Sequence, residues 1–273
     1  MPEHTNTSTT DGVDLSFRQM LGAWRLMAAP TPRPALASDA GLECIFTGIP
    51  VAFFNIALIT NRSVSAANLV AHGRRASAFA ADKGVPWLFV VTHETLEDGV
   101  DAAAALDGCG LAPVMPLTGM LASHVAPAAR VPEGLQLVIP EDDAGCEAAV
   151  DVNAAAYAMD LEASKPFLGR RQFWDTHCLV VGLADGAPAC SAAVMMVDGL
   201  RYVALVATMP GQQRRGFADA AMRRALESAA TTHGETPTVL HATAAGRPGY
   251  ERMGYRTISN HTVFMEKRFL QEH

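Results

Sequence analysis

The stretch best suited to chemistry is Thr208-Met209-Pro210-Gly211-Gln212-Gln213-Arg214-Arg215-Gly216-Phe217-Ala218, where an apolar run hands over to a helical pattern. A helix N-terminus carries unpaired N–H groups and a partial positive charge, so it attracts anions. Gly216 removes the Cβ that would hold a bulky phosphate off the backbone, and Ala218 keeps the next turn slim. Arg214 and Arg215 add charge beside that concavity, while Pro210 and Gly211 make the strand leave sharply. The segment reads as a seat for a pyrophosphate. On its own it reads equally as a solvated turn ahead of an ordinary amphipathic helix. A P-loop would need a second glycine followed by Lys and Ser/Thr, and a dinucleotide fold would need G-x-G-x-x-G; neither string occurs.

A second stretch, HATAAGRPGYERMGY (residues 241–255), follows one strand later. With both in place, the C-terminal half resembles the GCN5-related N-acetyltransferase (GNAT) superfamily over roughly residues 135 to 268. That family's acyl-CoA loop, Gln/Arg-x-x-Gly-x-Gly/Ala, is met by Gln213, Arg214, Arg215, Gly216, Phe217 and Ala218. Its fourth strand ends in a segment whose backbone pairs with pantetheine, matching Val206, Ala207 and Thr208. Its later helix carries Tyr-x-x-x-Gly-Phe/Tyr, matching Tyr250, Gly254 and Tyr255. The resemblance implies acetyl-CoA as acyl donor and direct attack by an amine, with Tyr250 serving the departing thiolate. Tyr250 could instead be a core aromatic with its hydroxyl at the surface.

The general base is less legible. Many relatives place a carboxylate on the fourth strand, but RYVALVAT has none. His241 on the next strand could accept a proton, since imidazole titrates near neutrality, though a lone His in an apolar strand is more often structural. Tyr157 and Trp174 correspond to helices that usually wall the acceptor site; core packing is the alternative for both. GIPVAFFN (residues 48–55) groups two Phe with Asn55, either as core or as part of the acceptor pocket.

The expected function is an acetyl-CoA-dependent N-acetyltransferase acting on a small-molecule amine. The competing readings are a catalytically silent acyl-CoA-binding sensor, and acylation of a protein lysine or N-terminus.

These residues must be carried by a fold. The element order predicts α+β, a mixed and mostly antiparallel sheet flanked by helices, built as two related units in tandem. The expected bounds are 14–124 for a degenerate acetyltransferase-like domain, 125–134 for a linker and 135–273 for the acyl-CoA-binding domain. Each unit reads as strands, a long helix stopped by Gly (Gly84, Gly234), an apolar strand, a short helical piece and a final strand. The first unit's counterpart of the loop, TNRSVSAANLVAHG, lacks the glycine and so the phosphate seat.

Composition sets the outer limits. The chain has 273 residues, 49% apolar and 18% charged, enough for a real core. A net charge of −7 without a basic block argues against nucleic acid and anionic membranes. Five cysteines without CxxC suggest neither disulfides nor zinc, so no metal is expected. The polar N-terminus lacks a signal peptide's basic and apolar regions, and cytoplasm is the expected compartment. A homodimer is compatible with all of this.

Overall fold

The computed structural model describes residues 9–128 and 132–270. The chain opens with helix α1 (Thr9–Ala28), which buries Val13, Phe17, Met20, Leu21, Trp24 and Met27 along one face. This three-and-four spacing is what makes it helical and amphipathic. It stops ahead of Pro30, which cannot continue a helix.

The first half continues as β1 (Ala35–Asp39), β2 (Leu42–Phe46), β3 (Asn55–Ile59), α2 (Ala66–Ala80), β4 (Leu88–Thr92), α3 (Ala102–Asp107) and β5 (Leu111–Ala122). The second half supplies β6 (Leu135–Val138), α4 (Asp143–Tyr157), α5 (Lys165–Leu168), β7 (Cys178–Ala184), β8 (Ala187–Val197) and β9 (Leu200–Thr208). It closes with α6 (Phe217–His233), β10 (Thr238–Thr243), α7 (Arg247–Arg252) and β11 (Arg256–Glu266). Strand β1 was not legible as a strand, because only alternate residues of this short edge are partly covered. Between α4 and β7 the chain forms only the single turn of α5 between two 3-10 turns, Glu162–Ser164 and Arg171–Thr176.

All these strands form one sheet in the order β1-β2-β3-β4-β11-β5-β10-β9-β8-β7-β6. Neighbours are antiparallel except β3–β4 and β9–β10. Tight two-residue turns join β1 to β2, β7 to β8 and β8 to β9 through Ala40-Gly41, Asp185-Gly186 and Asp198-Gly199, each with both φ values positive. Such turns match the twist of the paired strands.

The centre of the sheet departs from a simple pair of side-by-side units. The last strand of the first half, β5, lies against β10 of the second, with His241 opposite Gly119. The last strand of the second half, β11, lies against β4 of the first, with His261 opposite Thr92. The two exchanged strands pair with one another from Arg256–Leu121 to Glu266–Leu111. Each half therefore completes the other's sheet. Beyond Leu117, β5 loses β10 as a neighbour, and its open edge carries Pro113 and Pro116, which have no N–H to offer a stray strand.

Alternate strand residues face opposite cores, as strand geometry requires. Ile45, Ile56, Leu58, Met195, Tyr202 and Val239 share one core with α1, α4 and α5, and this core spans both halves. On the other face α6 covers Val194, Val203, Leu240 and Ala242, while α2 and α3 cover Phe46, Ala57, Phe89 and Leu111. Among the described residues no helix is long and apolar enough to cross a membrane.

Candidate active site

Strands β9 and β10 touch only at their start, where Thr238 pairs with Arg201 and Val239 with Tyr202. Beyond those pairs no ladder joins them and they splay into a V, with Tyr202 at the vertex. From Tyr202 to Thr208, β9 walls this V for about 20 Å.

A bulge shapes that wall. Ser191 faces Ala207 and Ala193 faces Ala204, so Leu205 and Val206 together oppose Ala192. Leu205 has φ +50, a conformation that costs a non-glycine residue ~1–2 kcal/mol. Helix α4 holds the strained carbonyls in place. Asn153, buried and one turn before Tyr157, donates to Ser191 Oγ (2.9 Å) and to the Leu205 carbonyl (3.4 Å), which also accepts from Ser191 Oγ (3.0 Å). Tyr157 donates to the Val206 carbonyl at 2.7 Å. Met209 N–H turns toward β8, bonding Ala189 at 2.8 Å, so by alternation the peptide groups of Thr208 and Val206 face the V.

At the mouth of the V lies the turn into α6. Gly211, Arg214 and Gly216 all have positive φ (84°, 61° and 85°). Gly216 is the N-cap and no side chain caps the helix; the first helical bond runs from Ala220 N–H to Gly216. The N–H groups of Phe217, Ala218 and Asp219 therefore have no helical acceptor and point outward. Three other helices are capped from within, by Ser65 on α2, Asp101 on α3 and Asp142 on α4. The Arg215 guanidinium lies 4.4 Å over the Phe217 ring centroid and bonds Gln212, so its charge is held beside the turn. The Gln213 and Arg214 side chains are exposed at the same turn. The Phe217 side chain is core, only 2% exposed, so what this residue offers the turn is its backbone N–H.

Tyr250 stands on α7, edge-on to Tyr255 at 5.9 Å, and its hydroxyl has no bonded partner among the described residues. Burial raises its pKa above the ordinary tyrosine value, and nearby Tyr157 raises it further. It is thus a protonated donor at neutral pH, close to Tyr157 across the V.

Of the three residues expected at the acceptor site, two turn out differently. Asn55 is fully buried and spends its amide on the carbonyls of Ile49, Val51 and Pro86, while its oxygen accepts from Gly48 N–H. It clamps the loop before β3 and has no donor left for a substrate. Trp174, 3% exposed, donates to the Leu168 carbonyl and packs against Phe173. It lines a cavity of about 140 Å³ together with Cys146, which lies about 16 Å along α4 from Tyr157. Packing is its role. Tyr157, 48% exposed, is the one of the three at the V.

His241 also differs from a free base. Its Nδ1 lies 3.0 Å from the Tyr202 hydroxyl and its Nε2 2.8 Å from Ser16 Oγ, so both nitrogens are engaged. Burial lowers its pKa to about 3. As found, it does not take up a substrate proton at neutral pH. Ser16, Tyr202, Ser259, His261, Asn153 and Ser191 were not singled out in the sequence. Their partners lie tens to hundreds of residues away, and no local pattern marks them.

The site is thus a splayed parallel pair of strands with a bulged wall and an uncapped helix at its mouth. Residues 165–271 match the family model described as an acetyltransferase (GNAT) domain. The fold is similar to a GCN5-related N-acetyltransferase from Kribbella flavida (TM-score 0.65, 20% identity, covering 93% of this chain and 94% of that one). It is also similar to one from Sphaerobacter thermophilus (TM-score 0.57, 15% identity, 83% and 76%). A third is a tandem GNAT protein from the clavulanic acid biosynthesis pathway (TM-score 0.52, 15% identity, 91% and 86%). At these identities the likeness is one of fold. No curated protein matches the chain. The match to the acetyltransferase (GNAT) domain model thus lies within the second half of the chain.

Proposed function

We propose that the protein is an acetyl-CoA-dependent N-acetyltransferase that acetylates the amine of a small molecule, using its second half. The observation that carries this reading is the V between β9 and β10, with the uncapped N-terminus of α6 at its mouth. The residues present fit the cofactor. The N–H groups of Gly216, Phe217 and Ala218 and the charges of Arg214 and Arg215 suit a pyrophosphate, with Gln213 at the rim. The edge of β9 from Val206 through Ala207 to Thr208 suits an amide-bearing arm laid along the strand. Bound there, acetyl-CoA supplies an activated acyl carbon.

The chain's own residues then divide the remaining work. The V holds both reactants, and orientation of this kind contributes up to roughly 7–11 kcal/mol in favourable cases. Tyr250, kept protonated by burial, is placed to give a proton to the departing sulfur. Tyr157 reaches the V from α4 and serves as its wall on the acceptor side. The amine proton leaves to water, because His241 is engaged on both nitrogens.

That engagement favours one second reading, a catalytically silent acyl-CoA sensor. A thiol-release screen over polyamines, aminosugars, amino acids and amine antibiotics separates the two. Amine-dependent release of thiol supports the transferase; tight acyl-CoA binding with no release for any amine supports the sensor.

A further inference from the structure

The core shared by the two halves contains an unbroken row of polar side chains drawn from five elements, all buried except the half-buried His241. Thr92 Oγ1 (β4) lies 2.8 Å from His261 Nδ1 (β11). His261 Nε2 lies 2.8 Å from Ser259 Oγ and 3.3 Å from Ser16 Oγ (α1). Ser259 donates to Ser16 at 2.7 Å. Ser16 meets His241 Nε2 (β10), whose Nδ1 meets the Tyr202 hydroxyl (β9). Space for the row is made on β5 by Gly119, where a Cβ would lie 2.1 Å from Ser259 Oγ and 2.7 Å from Ser16 Oγ.

One fixed direction sets all the others. Because Ser259 gives its only hydrogen to Ser16, His261 Nε2 must be the N–H that donates to Ser259. His261 Nδ1 is then bare and accepts from Thr92. Ser16, already accepting, turns its own hydrogen to His241 Nε2. His241 therefore carries its proton on Nδ1 and donates it to the Tyr202 oxygen. Five hydrogens point the same way, and bonds so aligned polarise one another. The hydrogen left over belongs to Tyr202, which is 4% exposed, stands at the vertex of the V, and has no further partner among the described residues.

We propose that Tyr202 donates its remaining hydrogen to the acyl carbonyl oxygen at the bottom of the V, and that Ser16 of the first half is the positioning residue that holds it as a donor. This rests on the acyltransferase reading above. As the amine nitrogen bonds the carbonyl carbon, the π pair moves onto oxygen, where the Tyr202 hydrogen bond strengthens. As that pair returns, the C–S bond breaks. Sulfur leaves with the Tyr250 proton, and water takes the proton of the amine. Tyr202 keeps its own proton throughout. The first half, without a phosphate seat, thus supplies the upstream end of the row through Ser16 and Thr92.

The direction of the row is testable without any activity, by long-range ¹H–¹⁵N correlation of the histidine rings in the full chain. We expect neutral His241 protonated on Nδ1 and neutral His261 on Nε2; His241 protonated on Nε2 overturns the proposal. The Tyr202→Phe substitution should lower kcat by ~10²–10³-fold, the usual cost of one such donor, with KM for acetyl-CoA unchanged. Ser16→Ala releases His241 to the other tautomer, which turns the Tyr202 hydrogen inward, so kcat should fall in the same direction. Added to Tyr202→Phe, Ser16→Ala should cost nothing more. Unchanged kcat in Tyr202→Phe, or full additivity of the pair, overturns the proposal. Failure of the wild-type chain to bind acetyl-CoA would instead overturn the acyltransferase reading and leave the tautomer result standing.

Discussion

The two parallel junctions of the sheet, β3–β4 and β9–β10, occupy equivalent places in their halves and have opposite character. Strand β3 pairs with β4 through Ile56–Leu88, Ala57–Phe89 and Leu58–Val90. Where the strands would splay, Val64 N–H bonds Thr95 and Glu97 N–H bonds Val64, a suture that keeps them together. The helix that follows, α2, is capped by Ser65, which accepts from Asn68 N–H at 3.2 Å. At β9–β10 pairing stops after Val239–Tyr202, the wall is bulged and strained at Leu205, and α6 has no cap. A few polar atoms thus decide whether this fold has a slot. Where the protein satisfies its own backbone the slot is shut. Where it leaves backbone groups unmade, at a cost of roughly 1–3 kcal/mol for each buried one, it is open to a ligand.

The largest expected effect comes from breaking the comparison itself by separating the halves. Residues 131–273 alone would leave β10 without β5, and β11 without either neighbour. We expect this fragment to show no cooperative thermal transition, and co-expression with residues 1–130 to restore one. A well-folded, acyl-CoA-binding fragment would show that the exchanged strands are dispensable.

Tyr250→Phe keeps the ring that packs on Tyr255 and removes the donor. Turnover should fall ~10²–10⁴-fold with little change in cofactor affinity. A thiol of pKa near 8.5 leaves more easily as pH rises, so the loss should shrink above that pH. A lowered melting temperature with intact turnover would make Tyr250 a packing residue.

Acid should weaken the seam between the halves. His241 and His261 are neutral when folded, with pKa values pushed below 6.5 by burial, but take up protons once unfolded. Stability on their account is full above about pH 6.5 and is lost as pH falls below it, for His241 down to about 3. At pH 4.5 the His241 share reaches roughly 2–3 kcal/mol. Denaturant melts at pH 7 and 4.5 on wild type and His241→Gln measure it; equal pH dependence in the two would contradict this account.

The smallest effect sharpens the contrast from the closed side. Ser65→Ala removes the α2 cap, which should cost about 1 kcal/mol and leave cofactor affinity alone. Calorimetry and a thermal melt on one sample check both halves of that statement.

How far the sequence disclosed this follows from how local each signal is. The turn at Gln213–Gly216 was legible because its residues are neighbours in sequence, and so was the stop of α6 at Gly234, whereas α2 ends at Ala80, ahead of the expected Gly84. The exchange of β5 and β11 was not, since apolar alternation says which face a strand buries but not which strand it joins. His241 was read as a base because Ser16, 225 residues away, is invisible from its own strand. Asn55 was read as pocket for a similar reason, since the carbonyls that consume its amide belong to a loop without periodicity and to Pro86.

The central claim is that only the second half holds the cofactor, at the uncapped start of α6. It is tested most directly by titrating acetyl-CoA into the full chain and into Gly216→Glu by calorimetry. The account predicts one site per chain in the wild type. In the variant, the left-handed φ at residue 216 and a carboxylate at the phosphate seat should weaken binding by roughly 10–100-fold, the worth of one or two charge-assisted hydrogen bonds. Two sites per chain, or one site with unchanged affinity in Gly216→Glu, would contradict it.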